Sequence, residues 1–191
     1  MNNNTTKGFT IIEVSLVLAI AGLIFLMVFV ALPGLRASQR DTERRTNIMT
    51  FLEEVKGYQK NNRGALPGVS QGEVEVTWDS AKNAGADDIS WSGFYKNYLG
   101  ENFMDPNGVN YVLKVINCDA SSVGAACDSS AGDGILADIY DAGRSPFPNG
   151  YRMAVVLQAK CNGSEAQRTS NPRKLAVLYR LESAGVYCND A

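Results

Sequence analysis

The sequence predicts an α+β protein: a long N-terminal helix, half transmembrane and half amphipathic, packed on a C-terminal antiparallel β-sheet head. Three features predict it. An apolar run, Phe9–Leu32, leads into a stretch with apolar residues every three to four positions. The later half of the chain carries stretches of strand length between Gly-, Asp- and Pro-rich loops. Those strand candidates follow one another without intervening helices, which favours antiparallel pairing.

Residues 1–8, MNNNTTKG, are polar. The apolar run 9–32, about 24 residues, reaches roughly 36 Å as a helix, enough to cross a ~30 Å hydrocarbon core. It is too long for the apolar region of an ordinary secretory signal, about 7–15 residues. Leu35–Asn47, LRASQRDTERRTN, is polar; Asp41 and Arg45 stand at helical i,i+4 spacing, and the segment reads as a solvated helix face. Ile48, Phe51, Leu52, Val55 and Tyr58 then form a stripe suited to pack on a sheet. Gly64 and Pro67 end the helix. The stem therefore covers 9–62, roughly 80 Å at 1.5 Å per residue, and the globular head covers 63–191. Pro33-Gly34 is expected to kink or locally unwind the stem, and Gly22 is a further candidate break.

Beyond the stem, EVEVTW alternates as a strand does, and a short helix ends in FYKNYLG with Gly100 as its C-cap. Further strands are expected at Val109–Ile116, Tyr151–Lys160, Lys174–Glu182 and Gly185–Cys188. CDASSVGAACDSSAGDG is loop by composition, and no internal repeat is present.

Composition excludes several function classes. The 191 residues include 18 Lys+Arg, 20 Asp+Glu and no histidine, so imidazole acid–base catalysis, Ser-His-Asp triads and His metal sites are out. The four cysteines, Cys118, Cys127, Cys161 and Cys188, form no C-x-x-C pair, which argues against zinc and thioredoxin-type chemistry. Their even number and wide spacing point to disulfides and an oxidising compartment. They allow three connectivities; pairing nearest neighbours predicts Cys118–Cys127 and Cys161–Cys188. Asp119, Asp128, Asp133, Asp138 and Asp141 cluster, but from Asp128 the EF-hand pattern fails, with Asp133 at the turn-glycine position. They read as a solvated acidic loop. No Gly-rich segment ends in Gly-Lys-Ser/Thr, and no catalytic constellation is visible. The expectation is a non-enzyme without cofactor or metal.

Glu13 is the one charged residue between Phe9 and Leu35. A carboxylate deep in a bilayer costs about 2.5–3.5 kcal/mol, so it is either paired or shallow enough to reach the headgroups. Counting Lys and Arg alone puts the side with Arg36, Arg40, Arg44 and Arg45 in the cytoplasm. The cysteines argue the opposite orientation.

Lys7-Gly8-Phe9-Thr10-Ile11-Ile12-Glu13, behind a short polar leader and inside an apolar run, resembles the class III signal of type IV pilins and pseudopilins. Gly22, the stem–head junction YQKNNRGALPG and the turn DPNGVNY are also similar to that family, whereas Pro33 lies further along than the family's usual stem proline. The resemblance implies cleavage by a prepilin peptidase between Gly8 and Phe9, and N-methylation of Phe9. It implies insertion in the cytoplasmic membrane with the head outside. A membrane platform with a cytoplasmic ATPase would then assemble copies of the chain into a helical surface filament used in motility, adhesion or DNA uptake. A secretion-system pseudopilin is the alternative, and a single-span anchored binding protein a third. Nucleic acid is a weak candidate partner, because the head is acidic overall.

Cleavage creates an α-ammonium at Phe9, with an ordinary pKa of about 7.7–8.0. The i,i+4 spacing leaves self-pairing with Glu13 open. The resemblance implies instead that Glu13 meets the ammonium of a neighbouring copy, fixing axial register.

Charge is unevenly spread. Residues 64–143 carry three basic and twelve acidic side chains, while 144–191 carry seven and three. By period two, Arg152, Lys160, Lys174 and Arg180 would line the outer face of a hairpin, either as solvated surface or as a docking face for the acidic region of an adjacent copy.

The Glu13→Ala chain should insert and be cleaved yet enter filaments poorly. Filament yield from cells expressing only that variant measures this; a normal yield would remove the pairing role.

Overall fold

The computed structural model describes residues 8–68, 73–85, 87–117, 152–182 and 185–191. They form an α+β fold in the order α1 (Ile11–Asn61), β1 (Glu73–Val76), α2 (Trp78–Ala81), α3 (Trp91–Phe94), β2 (Val112–Asn117), β3 (Arg152–Leu157), β4 (Ala159–Asn162), β5 (Glu165–Arg168), β6 (Leu175–Arg180) and β7 (Val186–Asp190). The chain divides into two compact units, Met1–Gln39 and Arg40–Ala191.

In the first unit the apolar side chains of α1 are exposed, from Phe9 at 90% through Leu26 at 65% to Val30 at 82%. The helix is long and apolar enough to cross a membrane. Gly22, Pro33 and Gly34, expected to break it, all lie within a 51-residue α-helix, so the expected unwinding is absent. Proline removes one backbone hydrogen bond and crowds the preceding turn, at a cost of about 3 kcal/mol. Unwinding a whole turn would release several bonds and create two new helix ends, which is costlier.

In the second unit, Ile48, Phe51, Leu52, Val55 and Tyr58 are all buried, as their spacing predicts. They share a core with Leu113, Val115, Met153, Val155, Leu175, Val177 and Tyr179. These alternate along β2, β3 and β6 and so form one face of the sheet. α3 continues into a π-helical turn, Tyr95–Leu99, which stops at Gly100. Gly100 has φ 72° with ψ −174°, a conformation open essentially only to glycine, and its N–H donates to the Tyr95 carbonyl.

The main sheet has the order β1-β2-β3-β6-β7. Three of its pairings are antiparallel, but β2 and β3 run parallel, with Val112 opposite Arg152 and Asn117 opposite Leu157. The sheet is therefore mixed rather than antiparallel. Parallel neighbours need a crossover of a dozen or more residues, and residues 118–151 supply that length.

The expected strand Tyr151–Lys160 is two strands. Gln158, at φ 55°, ends β3 and starts β4. Its N–H donates to Lys174 O at 2.7 Å, and its carbonyl accepts from Thr169 N at 2.6 Å. A non-glycine residue in this region is uncommon, and these two bonds hold it there. β4 turns through Gly163-Ser164 into β5, a strand absent from the sequence expectation.

This two-stranded ribbon overturns the expected basic face. A second core forms from Ile116, Ala154, Val156, Ala159, Ala176 and Leu178, with Cys161, Ala166, Val186 and Cys188 packed against it. The outer face of β3 and β6 is thus apolar and covered at its centre. Lys174 and Arg180 flank the buried pair Ala176 and Leu178, and Lys160 sits on β4 opposite Gln167. Lys160 does not share one continuous face with Lys174 and Arg180.

Cys161 of β4 and Cys188 of β7 form a disulfide across a sequence separation of 27, which ties the ribbon to the edge of the main sheet. The pairing of Cys118 with Cys127 lies outside the described residues. Chain entropy assigns a loop of this length about 3–4 kcal/mol. The double variant Cys161→Ser/Cys188→Ser should lose stability of that order, seen as a lower denaturation midpoint by tryptophan fluorescence of the full chain in detergent.

Candidate assembly site and the buried arginine cluster

The first turn of α1 is closed by its own side chains. Thr10 precedes the helix, and both its N–H (2.9 Å) and its Oγ1 (2.8 Å) donate to Glu13 Oε2. Glu13 N donates back to Thr10 Oγ1 at 3.3 Å. This reciprocal pattern is a capping box, which satisfies two helix-terminal donors at once. Glu13 therefore meets Thr10 rather than Phe9 while the peptide between Gly8 and Phe9 is intact. The α-ammonium that the pairing idea needs does not exist in the uncleaved chain. T-x-x-E is legible as a capping box from sequence alone. It gives Glu13 a structural role independent of any partner.

Within this unit the exposed apolar side chains have no core to enter. An added Cβ at Gly22 or Gly34 would meet nothing within 4 Å, so no contact made by this chain requires glycine there.

The second unit buries Asp41 and Arg44, which were expected on a solvated helix face, within a wider charge group. Arg44 is 1% exposed and Asp41 4%. Arg44 grips Asp105 with two parallel bonds, Nε to Oδ2 at 2.6 Å and Nη2 to Oδ1 at 3.1 Å. Its Nη1 donates to Asp41 Oδ1 at 3.1 Å, and Nη2 lies 2.8 Å from Glu182 Oε1. Bidentate pairs of this kind are among the strong hydrogen bonds of proteins. Asp105 also accepts from Tyr179 OH at 3.0 Å and from the backbone and side-chain nitrogens of Asn107. Asp41 accepts from the Glu182 N–H at 2.9 Å, and Arg40 Nε donates to Glu182 Oε1 at 3.0 Å. Three carboxylates and two guanidiniums thus close on one another.

Proton affinities follow from this arrangement. Burial works against the Arg44 charge, yet its bonds to Asp105 and the neighbouring acids outweigh burial and raise its pKa. Burial, then the Asp105 charge, pushes the Tyr179 hydroxyl well above its usual range. The Arg40 hydrogen bond, with Arg44 behind it, holds Glu182 below the ordinary 4.5.

Local sequence explains the placement of Asp105. It opens the Asp105-Pro106-Asn107-Gly108 turn: Gly108 N donates to its carbonyl at 2.7 Å, and its own N–H reaches Val109 O at 2.8 Å. Its carboxylate caps the turn through Asn107, as Asp does at a turn's first position, and both oxygens meet Arg44. Nothing local says that Arg44 will be the partner, since the two stand 61 residues apart.

Cys161 and Cys188 are brought together, whereas Cys118, Cys127 and the Asp119–Asp141 cluster lie outside the described residues. Among the described residues no group of three or more acidic, Cys or His side chains is placed to hold a metal ion. What the described residues offer is an apolar helix surface with one capped acid, and a head whose one buried charge cluster is internally satisfied. Comparison of the chain with protein-family models, curated proteins and solved structures finds no match in any of the three.

A carboxylate depressed in the folded state adds stability above its unfolded pKa and loses it as pH falls through the folded value. For Glu182 that loss lies below pH 4.5, its ordinary value. Thermal midpoints of the full chain in detergent should therefore fall below that pH. Glu182→Gln should melt lower at neutral pH and show a shallower acid decline. A variant whose pH profile parallels wild type would mean that Glu182 contributes nothing to acid sensitivity.

Proposed function

We propose that this chain is a structural subunit of a type IV pilus. One observation carries the reading: Lys7-Gly8-Phe9-Thr10-Ile11-Ile12-Glu13 stands at the head of an apolar helix whose side chains find no burial within their own unit. A helix surface apolar all round requires lipid or other helices, and a filament supplies both in sequence. The chain first rests in the cytoplasmic membrane, head outside, with its apolar helix in the hydrocarbon layer. A prepilin peptidase cuts after Gly8, and the new Phe9 amine is methylated. In an apolar surrounding this amine is a cation that needs an anion, and Glu13 is the one carboxylate of the segment. A charge pair in such surroundings specifies register more than it adds stability.

The Thr10–Glu13 bonds fit this sequence of events. They satisfy the carboxylate before a neighbour arrives, lowering its cost in lipid. Both use Oε2, so an incoming ammonium has Oε1 to approach. The head carries the subunit's outer surface and has no catalytic role in this reading. A cytoplasmic ATPase acting through a membrane platform drives extraction, and the finished subunit lies in an extracellular pilus.

Mass spectrometry of filaments sheared from cells tests the reading. The expected species begins at Phe9, carries one added methyl group and contains the Cys161–Cys188 link. A chain found only in membranes with residues 1–8 intact would overturn it. Intact processing without surface filaments, together with a secretion defect on deletion, would move the chain to the pseudopilins.

A further inference from the structure

Asparagine is followed by glycine at three places, Asn107-Gly108, Asn149-Gly150 and Asn162-Gly163. The second pair lies outside the described residues. In such a pair no Cβ hinders the glycine nitrogen, which can close on the side chain before it. The nitrogen loses its proton to hydroxide and attacks Cγ of the asparagine. A five-membered succinimide forms, the Cγ–Nδ2 bond breaks, and Nδ2 leaves as ammonia with a proton from water. Water then opens the ring at either carbonyl and leaves aspartate or isoaspartate. The step needs no oxidant, enzyme or second side chain. Its rate in a folded chain depends on how firmly the two nitrogens are held.

The fold treats the two described pairs differently. Both asparagines and both glycines are exposed, so water reaches each. Asn107 is nevertheless held at both reacting groups. Its N–H (3.0 Å) and its Nδ2 (2.8 Å) donate to Asp105 Oδ1. The Gly108 N–H, the nucleophile of the reaction, donates to the Asp105 carbonyl at 2.7 Å. Asp105 is itself clamped by Arg44, so the turn cannot swing open without disturbing a buried ion pair. Asn162 instead closes the β4–β5 hairpin opposite Glu165, and Gly163, at φ 64°, begins the two-residue turn. Among the described residues neither the Asn162 side chain nor the Gly163 N–H has a hydrogen-bond partner.

We infer that Asn162 is a site of spontaneous deamidation, and that the Asp105 turn shields Asn107 from the same reaction. The reaction proceeds whether or not the chain enters a filament. Its product bears on the ribbon that covers the second core. Aspartate at position 162 stands directly opposite Glu165, and like charges so placed destabilise a strand pair. Isoaspartate adds a methylene to the main chain and breaks the register of β4 against β5. Either product loosens the tip of the ribbon, while Cys161–Cys188 keeps its base tied to β7. The modification thus marks the age of the chain in the head without releasing the cover.

The test is timed incubation of the full chain, folded in detergent, in mildly alkaline buffer, followed by reduction, tryptic digestion and mass spectrometry. Asn162 reports in peptide 161–168 and Asn107 in peptide 97–114. Fragment ions should place a gain of about 1 Da at Asn162, where oxygen replaces the NH₂ group. The gain there should accumulate about tenfold faster than at Asn107, which must first break its bonds to Asp105. In chain unfolded and reduced before incubation the two rates should converge, which assigns the difference to the fold. An unmodified Asn162 in the folded chain, or equal rates at the two sites there, would overturn the inference. A difference that persists in the unfolded chain would overturn the shielding by Asp105. Hydrogen exchange reads the consequence: amides of Glu165–Arg168 should exchange faster in the aged chain than in the fresh one, with β3 and β6 unchanged. Equal exchange in β5 would overturn the loosening of the ribbon.

Discussion

Arg44, with Asp105 clamped on one side and Asp41 and Glu182 on the others, is the interaction on which the head depends. Three separate stretches of chain meet there: the stem helix, the DPNG turn, and the end of β6, through Tyr179 and Glu182 just beyond it. Taking two charges out of water costs several kcal/mol per ion unless geometry and extra hydrogen bonds restore it. Here Asp105 accepts five bonds, two from Arg44, two from Asn107 and one from Tyr179, which leaves little room for an alternative docking of helix on sheet. Removing one partner of such a pair typically costs 3–5 kcal/mol, about what an uncompensated buried charge demands. The cluster therefore selects one register of the helix against the sheet, a choice that the apolar stripe Ile48–Tyr58 makes only loosely, because dispersion contacts are non-directional.

The same helix obeys opposite rules in its two units. In Arg40–Ala191 it has one buried stripe and polar flanks. From Ile11 to Leu32 it is apolar on every side, with a single acid capped by Thr10. A helix in lipid satisfies its backbone internally, so its side chains are free to serve contacts outside the chain. Glu13 is the exception that needs an answer within the chain, and the capping box supplies one at short range.

The sheet has two apolar faces for a related reason. β3 and β6 are apolar on both sides, Val155 and Val177 toward the helix and Ala154 and Leu178 away from it. A face of that kind must be covered, and the β4–β5 ribbon covers it, held at its edge by Cys161–Cys188. The basic residues that strict alternation would place on a solvated outer face are thereby pushed to its margins.

Local pattern in the sequence determined a good deal: the apolar run, the stripe from Ile48 to Tyr58, the C-cap at Gly100, three of the later strands within a few residues, and the nearest-neighbour disulfide Cys161–Cys188. All but the disulfide, whose cysteines stand 27 residues apart, depend on residues close in the chain, where periodicity and turn chemistry act. The chain also carries a T-x-x-E capping box and a Gly163-Ser164 hairpin turn, the latter obscured by EAQR, which has little strand preference. Only the tertiary structure decided the parallel pairing of β2 with β3, the break at Gln158, and the burial of Arg44 and Asp41. These depend on what stands opposite across the fold. A charge is solvated or buried, and a strand parallel or antiparallel, according to neighbours that lie tens of residues away and leave no periodic trace along the chain.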